Sequence, residues 1–415
     1  MSLAWSLYRT VAPALGAIAP AARMVASPDE RRLWTERLGQ VEWPGGCHAW
    51  IHAASLGESV GVAPLLSELR ALQPSARLWL TATTRGGRAR LAELSERVSL
   101  APMDAPQSVR RFFDGVQPER LFLMETELWP HWLLRARADR VPVVVVSARL
   151  SDRSVRHYAQ LGDRFRELVA GFAAVLCQSP RDAERWLAIG APRLRTAVVG
   201  NLKNDALPRA AETPGAARAA LGLDRDRPLL VLGSVRPGEV RLLARAWRAL
   251  AAPVREHWQV VAVPRHPRAS ADLAREARET GVTVAKDGAP GSWAWDDRLG
   301  VLARYYAVAD AAFVGGSLLP YGGHNPLEPA ACGAALLMGP HFESQRPAVL
   351  ALAARDGILI ANDSPMLEAG LAFLLGDEAA RRNFGTAALA VTAEVRGAAR
   401  RALGLLAAWR LWPAS

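Results

Sequence analysis

The chain has 415 residues, with 51 lysines and arginines against 40 aspartates and glutamates, a formal charge of +11 and a pI near 10.5. Half of it is hydrophobic and 22% is charged, which excludes a disordered chain, and the length exceeds one ordinary core, so two domains are the default. The positive balance points to an anionic partner such as an acidic membrane face or phosphorylated small molecules. There is no basic run with interleaved aromatics, so nucleic acid is disfavoured. Cys47, Cys177 and Cys332 have neither metal-ligand spacing nor an even count, which suits a reducing compartment.

In chain order, thirteen uncharged residues lie between Arg9 and Arg23, interrupted by Pro13 and Pro20. A bilayer-spanning helix takes roughly 20 residues. The expectation over residues 1–30 is therefore an interfacial anchor, with Trp5 and Tyr8 at headgroup depth and Arg9 and Arg23 near anionic lipid. A helix packed on the protein fits the pattern equally well. A cleavable signal peptide fits less well, because its basic residue comes late.

From residue 48 onward, short apolar runs alternate with helical spacing. Strands are predicted at 48–52, 78–82, 98–101, 120–124, 141–147 and 173–178. A helix is predicted through Val60, Ala63, Leu65, Leu66 and Leu69. Repeated βα units imply a doubly wound parallel sheet. Polar residues collect at the strand ends. Ser55-Leu56-Gly57-Glu58 has the cap-x-x-Glu spacing of a capping box, yet a carboxylate after a first strand also suits a general base. Thr83-Thr84-Arg85-Gly86-Gly87 is a glycine turn. Glu125 and Glu127, beside Trp129, need partners if they are buried, and Arg149 and Arg153 at the next strand end are expected to face them. Lys203, in Gly200-Asn201-Leu202-Lys203, reads as a solvated hinge lysine or as a charge directed inward. A linker rich in proline and alanine spans 207–215.

The second half repeats the alternation, with strands at 228–233, 259–263, 311–314 and 334–338. Gly233-Ser234-Val235-Arg236-Pro237-Gly238-Glu239 turns onto a helix start, a natural anion site. Prolines hold Pro264-Arg265-His266-Pro267 out of helix, leaving Arg265 placed to clamp a phosphate. The densest stretch is 313–341. Gly315-Gly316-Ser317 breaks a buried strand, and Gly322-Gly323 leads into His324-Asn325-Pro326-Leu327-Glu328. There Asn325 suits a helix cap with Glu328 three residues later. Amide groups of such a glycine loop, together with the helix start, are expected to meet a ligand's anion. No grouping demands a metal. From Ala379 the chain is helix-forming and ends in Trp409 and Trp412.

GGSLLPYGGHNPLEPAACG…GPH, HAASLGE, ETELWP, SARLSDRS, Gly-Asn-Leu-Lys and Pro-Arg-His-Pro resemble, in order, motifs of the bacterial Kdo (3-deoxy-D-manno-octulosonic acid) transferases of lipopolysaccharide synthesis. Leu33-Trp34-Thr35-Glu36-Arg37-Leu38-Gly39 resembles the segment after their membrane anchor. The resemblance covers nearly the whole chain. It implies a GT-B-like α/β fold with two Rossmann-like doubly wound parallel-sheet domains facing across a cleft, and an N-terminal anchor helix. It implies an acceptor domain over 31–206, a nucleotide-sugar domain over 216–390, and a helix over 391–415 crossing back to the first domain. The implied activity is inverting transfer of Kdo from CMP-Kdo, a substrate and not a cofactor, to a lipid A precursor at the cytoplasmic side of the inner membrane. Glu58 would be the base. Arg265, His266, Gly315, Gly316, Ser317, Gly322, Gly323, His324, Asn325 and Glu328 would bind the donor. Ser55, Gly57, Thr83, Thr84, Glu125, Glu127, Arg149, Arg153 and Lys203 would line the acceptor side. Two segments depart from the family pattern: Phe342-Glu343-Ser344-Gln345 after GPH, and Trp295-Asp296-Asp297-Arg298-Leu299-Gly300 in place of a Gly-Asp-Thr element. Alternatives are another nucleotide-sugar enzyme using a uridine nucleotide, or a catalytically silent scaffold.

Overall fold

The structure, a computed structural model, describes residues 26–41, 45–285 and 289–413, together with Tyr8, residues 11–13 and Met24. Two compact units divide the chain. The first takes in residues up to Ala206 and again from Val395; the second runs from Leu207 to Glu394.

The first unit is built on seven parallel strands: β1 (Ala49–His52), β2 (Leu78–Ala82), β3 (Val98–Leu100), β4 (Leu121–Met124), β5 (Val143–Ala148), β6 (Ala174–Cys177) and β7 (Thr196–Val198). Their order is β3-β2-β1-β4-β5-β6-β7. The central strands are buried at every residue, as unbroken runs such as LFLM and VVVVSA require of a sheet covered on both faces. Successive side chains point to opposite faces. Trp50 therefore joins Phe112, Trp132 and Trp186 on one side, while Ile51 joins Leu65, Phe122, Leu406 and Trp412 on the other.

The second core includes the chain's last helix, Ala398–Ala408, which belongs to this unit. Asp205 accepts the N–H groups of Gly397, Ala398 and Ala399 at that helix start, and Trp412 donates its indole N–H to the Leu69 carbonyl at 3.1 Å.

The second unit holds six parallel strands: β8 (Leu229–Val235), β9 (Gln259–Pro264), β10 (Trp293–Trp295), β11 (Ala311–Val314), β12 (Ala335–Met338) and β13 (Leu359–Ile360), ordered β10-β9-β8-β11-β12-β13. Both sheets are doubly wound, as expected. The order reverses between β1 and β4 in the first unit and between β8 and β11 in the second. These switch points, at the carboxyl ends of the strands, are where such folds bind ligands.

The differences from the sequence reading have physical causes. β7, β10 and β13 have two or three residues each, too short to register as apolar runs. The helix expected through Val60 breaks at Gly61 into Leu56–Ser59 and Val62–Leu72, and a side chain at Gly61 would press on Met124. The stretch expected as a linker is partly docked: Leu207 is buried, Ala211 donates to the Ala307 carbonyl, and helix begins at Pro214.

Most of the anchor expected over 1–30, Trp5 included, lies outside the described residues. Tyr8, expected at headgroup depth, instead stacks on His131 and donates to Asp104. No helix among the described residues is long and apolar enough to cross a membrane.

Candidate active site

In the first unit the switch point gathers three carboxylates. Glu58 follows β1, and Glu125 and Glu127 follow β4, the adjacent strand. Ser55 caps the short helix by accepting the Glu58 N–H at 3.3 Å. The Glu58 carboxylate reaches back to the Ala54 N–H at 2.9 Å and the Ser55 hydroxyl at 3.1 Å. The box thus closes one residue earlier than the standard pattern, onto Ala54. Burial raises the Glu58 carboxyl above its ordinary range against the lowering effect of the Ala54 N–H, and the charges of Glu127 and Glu125 raise it further. A carboxyl raised in this way can exchange a proton nearer neutral pH than an ordinary glutamate.

Thr83 and Thr84 hang from the same turn, both donating their N–H groups to the Ala54 carbonyl. Thr84 caps the next helix, and the Thr83 carbonyl accepts from Arg37 at 2.8 Å. Gly57 is exposed.

The two glutamates after β4 have different partners. Glu125 takes the left-handed conformation, φ 56°, which costs backbone energy, and its side chain is buried. There it pairs with Lys203 at 2.5 Å and Arg149 at 3.8 Å. Lys203 is therefore directed inward and is not a solvated hinge. Glu127 accepts the Trp129 indole N–H at 2.8 Å and lies 3.5 Å from His52 Nε2. His52 is fully buried, and its Nδ1 is 2.8 Å from the Thr81 hydroxyl, which also accepts from Trp50. Arg153 does not join this group. It is exposed on the helix Asp152–Ala159, none of whose residues is buried. Arg149 alone supplies the expected pairing from that segment.

In the second unit the switch point is basic. Arg265 and His266 stand exposed after β9, where Pro264 ends the strand and Pro267 opens a 3-10 turn. Arg236 follows β8, past a bulge at Ser234 whose φ is 55°. Its guanidinium stacks on Tyr321, 4.4 Å from the ring centre, and its Nη1 lies 2.8 Å from His266 Nε2. Burial and the nearby Arg265, Arg236 and His266 lower His324 to about 4. Two buried nitrogens in this group, Arg236 Nε and His324 Nε2, have no hydrogen-bond partner. Buried polar groups left unmatched in a protein are unusual, and here they suit an incoming anion. The sequence offered a signal for Arg236 in its glycine-serine turn at a helix start, but not one that distinguished it from a surface arginine.

The glycine loop differs from expectation. The Gly316, Ser317 and Leu318 N–H groups all donate to Glu239, and Gly315 donates to the Gly233 carbonyl. The anion that meets this loop is an internal carboxylate. Gly323 and His324 donate to the carbonyls of Gly316 and Gly315, and the Gly322 carbonyl accepts from Ser344, so the loop folds back on itself. Gly316 has φ +71°, and a side chain there would strike the His324 ring.

Asn325 accepts the Leu327 N–H at 3.1 Å, and its amide nitrogen lies 3.4 Å from Glu328 Oε1. Glu328 makes no return bond to the Asn325 backbone, so the expected capping box stays open. Burial raises the Glu328 carboxyl, which Asn325 and Arg265 partly offset. Among the departures from the family pattern, Asp296 holds Arg298 through both carboxylate oxygens and accepts from Tyr305. The Arg298 hydrogen bond is the main reason its carboxyl falls to about 2. Among the described residues, no group of three or more histidines, cysteines and carboxylates has metal-binding geometry.

A family model described as 3-deoxy-D-manno-octulosonic-acid transferase (kdotransferase) matches residues 32–206. The 3-deoxy-D-manno-octulosonic acid transferase of Bordetella pertussis is 35% identical over 88% of this chain and 88% of its own length. That of Haemophilus influenzae is 31% identical over 92% of each. In fold, the chain resembles the UDP-GlcNAc 2-epimerase of Neisseria meningitidis in complex with UDP-GlcNAc, with a TM-score of 0.60, 11% identity, and coverage of 87% of this chain and 99% of that one. With two relatives above 30% identity along most of its length and its carboxylates and cations gathered at the switch points, the chain belongs to the 3-deoxy-D-manno-octulosonic acid transferase family.

Proposed function

We propose that this protein transfers a Kdo residue from CMP-Kdo to a hydroxyl of a lipid A precursor, by a single inverting displacement, in assembly of the lipopolysaccharide inner core. The observation that carries the reading is the division of chemistry between the two switch points. One holds a half-buried carboxylate with a raised pKa, and the other holds a cluster of guanidinium and imidazole groups around two unmatched nitrogens. In this reading Glu58 accepts the proton of the acceptor hydroxyl as its oxygen bonds to the anomeric carbon. The bond from that carbon to the phosphate oxygen breaks, and CMP leaves with the electron pair.

Arg265 and Arg236 offset charge on the donor's phosphate and sugar carboxylate, and the neutral His324 ring offers a hydrogen bond beside them. Such preorganised cations act most strongly where charge develops. Glu328, shielded and close to Asn325, accepts hydrogen bonds from ribose hydroxyls. Lys203 and Arg149 hold Glu125 so that the carboxylate group stays ordered beside Glu58. The proposal takes CMP-Kdo as a substrate and assigns no bound cofactor. The basic charge and a lipid acceptor support a place at the cytoplasmic face of the inner membrane.

The test is incubation with CMP-Kdo and a tetra-acylated lipid A precursor, reading product mass, alongside calorimetry with CMP and UDP. A mass increase by Kdo and binding of CMP over UDP are expected. Binding of UDP alone, with no product from CMP-Kdo, would overturn the assignment in favour of a uridine-nucleotide enzyme.

A further inference from the structure

Glu239 is the first residue of the helix Glu239–Ala249, and its side chain is completely buried. Its two oxygens accept four backbone N–H groups from two separate segments. Oε1 takes Ser317 at 2.8 Å and Leu318 at 2.9 Å, and Oε2 takes Gly316 at 2.7 Å and Arg236 at 2.9 Å. One carboxylate oxygen thus bridges the turn after β8 to the loop after β11. The same two segments meet again where the Tyr321 hydroxyl donates to the Pro237 carbonyl at 3.2 Å and where Arg236 stacks on Tyr321. The loop in turn carries His324, through the Gly323 and His324 N–H bonds to Gly316 and Gly315. Arg236 Nε and His324 Nε2 are among the buried nitrogens of the described residues that have no hydrogen-bond partner.

We infer that Glu239 is a positioning residue for the donor: its carboxylate ties the turn bearing Arg236 to the loop bearing His324, and so sets the spacing of the two nitrogens left for the donor's anionic groups. This rests on the reading of the second unit as the donor-binding unit. A neutral amide cannot replace the carboxylate. Glutamine has one accepting oxygen, and its NH2 group would confront two N–H donors. The ion also has to be the protein's own, because a ligand entering the site finds the loop amides already occupied.

The experiment is steady-state kinetics and CMP calorimetry on wild type, Glu239→Gln, Arg236→Ala and the double variant, at a temperature where circular dichroism shows each folded. Glu239→Gln is expected to raise the KM for CMP-Kdo and the Kd for CMP about tenfold, equivalent to about 1.4 kcal/mol, while the acceptor KM stays at the wild-type value. The double variant should lose less than the product of the single losses, because Glu239 acts partly through Arg236. A merely structural glutamate would lower the melting temperature and leave donor KM unchanged in the folded protein, and that result would overturn the inference, as would strictly multiplicative losses. Should Glu239→Gln fail to fold, Glu239→Asp keeps the charge but withdraws it from the loop, and a wild-type donor KM in that variant would count equally against the role. Failure of wild type to bind CMP or CMP-Kdo would instead remove the functional reading on which the inference rests.

Discussion

Lys203 Nζ lies 2.5 Å from Glu125 Oε1, joining the segment that follows β7 to the residue after β4. The Glu125 side chain is only 11% exposed and that of Lys203 31%, so the pair is neither a surface bridge nor a dry one. Exposed pairs contribute about 0–1 kcal/mol, and breaking fully buried ones costs about 3–5 kcal/mol. Lys203→Met should therefore lower the unfolding free energy by about 2 kcal/mol in urea, since Arg149 at 3.8 Å compensates only in part. Glu125→Gln combined with Lys203→Met should cost less than the sum of the two, which a double-mutant cycle reads directly. Full additivity would show that the pair contributes nothing.

Glu58→Gln separates a helix-capping role from a catalytic one. The amide oxygen can still accept the Ala54 N–H, and the helix Leu56–Ser59 keeps its Ser55 cap. Near-ultraviolet circular dichroism should stay as in wild type while kcat falls about 10²–10⁴-fold, the range of a lost general base. Normal turnover in this variant would remove Glu58 from the chemistry.

The shift on Glu58 also fixes a pH dependence. Burial, with the charges of Glu127 and Glu125, favours the protonated form, so the carboxyl loses its proton at a pH above the ordinary glutamate range. A base works only when deprotonated, so the acidic limb of kcat/KM should lie above that range. Glu127→Gln removes one of the raising charges and should move the limb to lower pH. Movement in the opposite direction would show that another group controls the limb.

The pattern of what the sequence revealed follows the range of the interactions involved. Strands such as Val143–Ala148 announce themselves because burial on both faces demands an unbroken apolar run. Glu58 was visible because its partners, Ala54 and Ser55, are three or four residues away and leave a fixed spacing. Glu239 was not, because three of its four N–H partners come from a loop 77 to 79 residues along the chain, and an acidic residue at a helix start is unremarkable. The same distance misplaced the amides of Gly316 and Ser317, which looked open only while their internal acceptor was unseen. Arg153 shares a motif with Arg149, but it falls at the start of the exposed helix Asp152–Ala159, away from Glu125. Lys203 reads two ways for a related reason: nothing within its own segment reports its partner Glu125, which comes from the turn after β4.

His324 offers a spectroscopic probe of the donor site. Burial and the surrounding cations keep its imidazole neutral down to about pH 4. An anion bound beside it favours the charged form, so CMP should move its NMR titration midpoint upward. Arg265→Lys keeps the positive charge but loses the planar fork that holds two oxygens at once. That variant should weaken CMP binding about tenfold, or about 1.4 kcal/mol, while the His324 midpoint in the free protein stays near about 4. An unchanged midpoint on CMP binding would place the nucleotide elsewhere.

Asp205 tests how far the first unit depends on the chain's last helix. Its carboxylate accepts three consecutive N–H groups, from Gly397, Ala398 and Ala399, where the helix Ala398–Ala408 begins and the macrodipole is positive. Capping residues contribute about 0.5–2 kcal/mol, and charge-assisted bonds lie at the upper end. Asp205→Ala should therefore cost about 2 kcal/mol, and Asp205→Asn, which retains one accepting oxygen, about half as much. Deleting the helix outright is a larger change, because Ala402, Leu403, Leu406 and Trp412 complete the core that holds Ile51, Leu65 and Phe122. A chain ending at Val395 would expose that surface and should aggregate on expression. The point variants should instead remain folded, with their loss read from the midpoint of urea unfolding. An Asp205→Ala midpoint equal to wild type would mean that packing alone, without the cap, holds the helix in place.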